Sequence, residues 1–181
     1  MKKIEPLESE SIFKCKFVGF ISKYPYDMDS VTQLVVGGII GERTLGKKLG
    51  NKAVLWGAVI GTIPDLDVFA ARFYDTVNSL FIHRGFSHSL VFCLLASPLL
   101  ALLLNKIYSN KDIHLRTWWK FTFLILFGAV FIDYLTGYGA SIFWPFSNYR
   151  IELNTISIVD VFFTLPLIIL LITILFTKNK T

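Results

Sequence analysis

Apolar residues gather into five runs along the chain, separated by polar and mostly basic connections. Three runs approach the about 20 residues that a membrane-spanning helix needs: roughly Ser89 to Leu104, Phe121 to Ile132 with the preceding "TWW", and Ile156 to Phe176. Two are shorter and rich in glycine, Val31 to Ile40 and Ala53 to Ile63. Small residues let helices approach closely, so this pair reads either as helices packed inside the bundle or as a re-entrant pair. The expected fold is all-α: a polytopic transmembrane helix bundle with three clear spans and two short Gly-rich apolar helices.

The connections "GERTLGKKLGNK", "NKIYSNKDIHLRTWWK" and "TKNKT" are basic, and by the positive-inside rule all three face the cytoplasm. Alternating crossings then make Ala53 to Ile63 and Ser89 to Leu104 one out-and-back excursion. "PDLD" (Pro64 to Asp67) ends one crossing, "HRGFSHS" (His83 to Ser89) begins the next, Asp133 ends a third and Asp160 opens a fourth. All four fall at one, extracytoplasmic, level. Charges beside apolar spans are costly, so such carboxylates face one another or a wet cavity.

Composition agrees with this pattern: 54% of the 181 residues are hydrophobic and 17% charged, with a mean hydropathy of +0.58. The net charge of +5 comes from the connections rather than from a basic stripe, which argues against nucleic-acid binding. Cys15 and Cys93 suggest neither a disulfide framework nor a metal knuckle. Residues 1–27 form a polar extension without the long apolar core of a secretory signal. The organised pattern begins at Met28, a candidate translation start, and residues 28–181 read as one membrane-embedded domain.

Carboxylates with imidazoles form a donor set for a divalent metal, and imidazole tilts the choice toward zinc, with manganese next. Asp65, Asp67, His83, His88 and Asp133 are the candidate ligands. His83 and His88 do not share a face of one helix, but a turn at Arg84 and Gly85 lets them converge. Of Asp65 and Asp67, one can point inward while the other holds a ligand histidine in its tautomer. A metal so held activates water, which makes hydrolysis the natural reaction, with Asp67, Asp133 and Arg84 as catalytic candidates. The Arg84 guanidinium suits a phosphate. Blander roles stand beside these: a histidine pair can cap a helix entrance, Asp160 can complete a capping box after Ser157, and "SIFWPF" reads as an interfacial aromatic belt.

Together "MDSVTQLVVGGIIGE", "GNKAVLWGAVIGTIPDLDVF", "HRGFSHS", "GYGASIFWPF" and "SIVDVFFTLP" resemble the YdjM-like family of membrane-bound proteins described as metal-dependent hydrolases. The resemblance runs from about Met28 to the last span. It implies a distant likeness to helical zinc phospholipases C and P1-type nucleases, hence His/Asp metal ligands and a phosphoester substrate. Asp65 and Asp67 match the family's "PDLD", His83 and His88 its "HRG-(T/F)-(T/S)-HS", and Asp133 the Asp of "THPLLD". The chain departs from the pattern at Ala129 and Leu135, where histidines are usual, at Gln33, where many relatives have the His of "DSLTH", and at Val161, where Pro is frequent.

The expected function is therefore a multi-pass inner-membrane hydrolase with a divalent metal, acting on a phosphoester or lipid-linked ester among membrane lipids. The missing imidazoles at Ala129 and Leu135 motivate the alternative of a catalytically degenerate scaffold or lipid-binding protein. An ion carrier using Asp133 and Asp160 is a third reading, disfavoured because both lie near span ends.

Overall fold

The computed structural model describes residues 30–67, 85–109, 111–135, 140–147, 149–151, 153, 155 and 161–178. Among these residues the protein is all-helical: α1 (Ser30–Leu49), α2 (Asn51–Gly61), α3 (Leu90–Ile107), α4 (Leu115–Leu135) and α5 (Val161–Lys178), with 3-10 turns at Pro64–Leu66 and Phe86–His88. The one departure from helix and loop is an isolated bridge between Ala140 and Ile151.

The basic run expected as a connection after Ile40 is mostly helix. α1 continues to Leu49, placing Lys47 and Lys48 in its last turn, where cations complement the partial negative charge of a helix C-terminus. The connection itself shrinks to Gly50, whose φ of 66° is open to glycine and strained for other residues. Its N–H donates to Gly46 O at 2.9 Å, closing the end of α1, and its own carbonyl accepts from Ala53 N at 3.0 Å.

α1 and α2 therefore form a hairpin of two packed helices, and glycine sets how closely they approach. A Cβ on Gly37 would strike the carbonyl oxygen of Gly57, one on Gly57 that of Gly37, and one on Gly41 that of Ala53. This small-residue seam brings the two backbones into contact. Pro64 stops α2, since it has no N–H to continue the helix, and the chain turns through Pro64–Leu66.

α4 is the central element. Its buried residues are Trp118, Phe121, Thr122, Ile125, Leu126, Ala129, Val130, Asp133 and Tyr134. Their alternating spacing of three and one is an apolar stripe of helical period, and it ends on a carboxylate. Half of the span in α4 is buried, against 22% for α3, so α3 turns most of its surface outward. The two are joined by Thr122, whose hydroxyl donates to Ser97 O at 2.8 Å, and by Trp119, whose Nε1 donates to Ser97 Oγ at 3.0 Å.

α3 and α4 are the two described helices long and apolar enough to cross a membrane. The third span expected from Ile156 is corrected in part: among the described residues, the apolar stretch there is Phe162–Thr177, shorter than the spans of α3 and α4. α5 has no fully buried side chain among those described. It lies against α1 through the Thr32 and Thr164 hydroxyls, 2.5 Å apart.

The basic turns meet at one end of the bundle. Lys48 Nζ donates to Asp112 O at 3.2 Å, Trp56 Nε1 donates to Tyr108 OH at 2.9 Å, and Lys52 Nζ lies 5.8 Å from the Tyr108 ring centre. The opposite end gathers the start of α1, the end of α2, the start of α3 and the end of α4.

Two predictions follow from this packing. Gly57→Val should destabilise the protein by roughly 1–3 kcal/mol through overpacking, and Gly50→Ala by about 1–2 kcal/mol through backbone strain alone, because nothing lies within 4 Å of its Cβ position. Unfolding in detergent measures both, and a neutral Gly57→Val would contradict the seam. In a background lacking Cys15 and Cys93, single cysteines at Lys47 and Ser109 should react from the same side of the membrane and one at Tyr149 from the other. Labelling of all three from one side would break the arrangement.

Candidate metal centre

His88 sits at the middle of the polar end. It closes the 3-10 turn Phe86–His88, immediately before Ser89, which caps α3 by accepting from Phe92 N at 3.1 Å. Tyr134, beside Asp133 on α4, donates its hydroxyl to His88 O at 2.7 Å and pins the turn to the central helix. Leu90 N donates to Ile142 O at 3.1 Å, so the segment after Ala140 covers the same end. Phe86 packs edge-on against Trp144, at 5.1 Å between ring centres. Part of the aromatic group expected as an interfacial belt thus closes over this turn.

The imidazole is fully buried and touches carboxylates on both sides. Nε2 lies 3.1 Å from Asp133 Oδ2 and 3.5 Å from Asp65 Oδ1, while Nδ1 lies 3.6 Å from Asp67 Oδ2. Ser87 stands between the ring and Asp67, its Oγ donating to Asp67 Oδ2 at 2.5 Å and lying 3.0 Å from Nδ1. A hydroxyl has one hydrogen, and here Asp67 takes it. Ser87 Oγ is left to accept from Nδ1–H, so in the neutral ring Nε2 carries the lone pair. That lone pair faces Asp65 and Asp133.

Asp65, His88 and Asp133 each offer one ligand atom, and these atoms all lie within 4.8 Å of one another. This group can hold a metal ion. Burial by itself lowers the His88 pKa, but the hydrogen-bonding carboxylates of Asp133, Asp65 and Asp67 and the charge of Asp133 override it, so the net shift is well above the ordinary 6.5. Without a metal, a proton on His88 offsets part of the negative charge of the cluster; with one, the proton gives way.

Of the residues expected from the sequence, Asp65, His88 and Asp133 converge, and Asp67 lies on the far side of the ring through Ser87. His83, Arg84 and Asp160 lie outside the described residues. Three residues not anticipated also serve the centre: Ser87, Tyr134 and Gln33. Gln33 Nε2, from α1, donates to Asp133 Oδ2 at 2.9 Å and to Asp65 Oδ1 at 3.2 Å. Its sequence signal was a polar residue among apolar ones, at the position where the chain departs from "DSLTH".

Comparison with known proteins agrees with the membrane character of this architecture. The chain is 30% identical over 112 residues to the inner membrane protein YbcI of Escherichia coli (strain K12), covering 59% of this chain and 64% of that protein. It is 33% identical over 144 residues to the uncharacterized protein YfhP of Bacillus subtilis (strain 168), covering 75% of this chain and 42% of that protein. The matches thus span less than two thirds of either relative's length. No solved structure matches the chain, and the likeness to zinc phospholipases C is not among the similarities found. The model of the YdjM inner membrane protein family matches residues 28–181, and with its apolar spans and polar end the chain belongs to that family.

Proposed function

We propose that the protein is an integral inner-membrane, metal-dependent hydrolase acting on a phosphoester or lipid-linked ester. The observation that carries this reading is the convergence of Asp65, His88 and Asp133, from three separate elements, with His88 Nε2 aimed at both carboxylates. Buried charges of this kind are seldom kept for packing alone.

The donor chemistry fits a divalent ion: two carboxylates supply negative charge and the imidazole a lone pair. Such an ion, when bound, supplies Lewis acidity toward an ester or phosphoryl oxygen and toward water. The protein's own residues do the rest. Asp67 and Ser87 fix the tautomer of His88, leaving Nε2 toward Asp65 and Asp133. Tyr134 holds the turn that carries His88, and burial keeps bulk water from weakening these interactions. His83 as a further ligand and Arg84 as a clamp for the substrate phosphate complete the reading. The basic residues gathered at the opposite end support a cytoplasmic placement for that end and an extracytoplasmic site.

One observation favours a second reading, a membrane scaffold without catalysis. A protonated His88 hydrogen-bonded among three carboxylates offsets part of their charge without any metal.

Metal analysis of the purified protein separates the two. The hydrolase reading expects about one divalent ion per folded chain, with affinity falling more than about a hundredfold in His88→Ala and in Asp133→Asn. Negligible metal in folded wild type would leave the scaffold. Acidity gives an independent measure. Because the folded-state pKa of His88 is raised above 6.5, protonation stabilises the metal-free protein fully below that pH, and the contribution is lost as pH rises through the folded value. Metal-stripped protein should accordingly melt at lower temperature as pH rises, and metal affinity should strengthen over the same interval. His88→Ala should abolish both trends.

A further inference from the structure

Gln33 reaches the centre from α1 with only half of its amide engaged. The residue is 3% exposed. Its Nε2 donates to both ligand carboxylates, whereas its Oε1 is buried and has no hydrogen-bond partner among the described residues. A buried carbonyl left in this way costs stability unless another state uses it. The backbone holds the side chain in place: the bare Cα of Gly61 lets α2 approach the Gln33 carbonyl, which would stand 2.8 Å from a Cβ there.

The end of the amide occupies a ligand position. It lies 2.9 Å from Asp133 Oδ2 and 3.2 Å from Asp65 Oδ1, and those oxygens lie 3.1 and 3.5 Å from His88 Nε2. Neighbouring donors around an ion with bonds of about 2.1 Å stand about 3.0–3.4 Å apart, by simple polyhedral geometry. These contacts, from both Gln33 and His88 to the two carboxylates, lie close to the spacing of neighbours in one coordination shell. Without an ion, two carboxylates call for the amide N–H group. With a dication between them the local charge reverses, and a half-turn about the terminal torsion, which has a shallow two-fold profile, presents Oε1 instead.

We propose that Gln33 binds the ion through Oε1 and makes the centre oxygen-rich, favouring a hard, six-coordinate divalent cation of the manganese class over zinc. The inference rests on the metal-centre reading above and replaces the zinc expected from the sequence. Among the described donors, three oxygens then stand against one nitrogen, the balance that suits manganese or magnesium more than zinc. Among the ligands themselves, two carboxylates then cancel a dication and the neutral amide adds no further charge.

The test titrates Mn2+ into detergent-purified protein, reading the loss of the free-ion EPR signal, with Zn2+ measured by competition. Gln33→Leu removes both functions of the amide, and the sign of its effect discriminates between them. A ligand's loss weakens Mn2+ binding by at least about tenfold. Loss of a mere donor frees the carboxylates and leaves Mn2+ binding unchanged or tighter, which overturns the proposal. Gln33→His should raise the ratio of zinc to manganese affinity at least about tenfold, and an unchanged ratio in folded protein also overturns it. Should that variant not fold, the Leu arm decides alone. Asp133→Asn separates the layers: Mn2+ binding that depends on Asp133 but not on Gln33 defeats only this inference, while wild type that binds no better than Asp133→Asn defeats the metal centre as well.

Discussion

Asp133 ends an apolar helix and is 3% exposed, a position that a lone carboxylate cannot hold at tolerable cost. The chain meets that cost by bringing His88 and the Gln33 amide to within hydrogen-bonding range of it. Since the partners come from α1 and from the turn before α3, and since Asp65 follows α2, satisfying one carboxylate fixes one end of each of four helices. Loop geometry at that end serves the same demand. Pro64 stops α2 so that Asp65 turns inward, and Ser89 starts α3 directly after the imidazole.

The packing that supports this centre is also built from near contacts of backbone. The glycine seam between α1 and α2 runs from the Gly41 level to Gly61, where it meets the backbone of Gln33. A wider helix pair would withdraw the amide from Asp65 and Asp133. On α4, Ala129, Val130, Asp133 and Tyr134 continue the stripe that buries Trp118 and Phe121. Core and site are one surface, with the change from apolar to polar falling at the last turn of the helix.

The parts of this arrangement visible in the sequence are those written in hydropathy and in residue type. The spans of α3 and α4, and the common level of Asp65, His88 and Asp133, follow from apolar run length and from the basic connections. Other parts are written in three-dimensional partnership. α1 extends through "GERTLGKK" because Leu45 and Leu49 stay on its buried face while Arg43, Lys47 and Lys48 remain exposed, a pattern that a search for apolar runs breaks at Glu42. The last run does not stand beside α3 and α4 as a span, because among the described residues its apolar helix is the shorter stretch Phe162–Thr177. Ser87 and Tyr134 act through a side-chain relay and a backbone carbonyl, and neither residue type announces such a role. Choosing between Asp65 and Asp67 as the inward carboxylate required the direction of the imidazole, which spacing alone leaves open.

The departures from the family pattern point the same way as the geometry. By the motif resemblance, Gln33, Ala129 and Leu135 each stand at a position where an imidazole is expected, and Ala129 is wholly buried one turn before Asp133. Removing imidazole at those positions takes nitrogen from the centre but leaves its carboxylates, and only at position 33 is another donor put in place. If the changes marked simple decay of the site, an apolar residue at 33 would pack as well as at 129, and Asp65 and Asp133 would be free to drift. Instead the substituted side chain is polar, buried and hydrogen-bonded to both carboxylates. Those bonds tie the amide to the same two carboxylates that face His88, which is the geometry on which the proposed oxygen-rich centre rests.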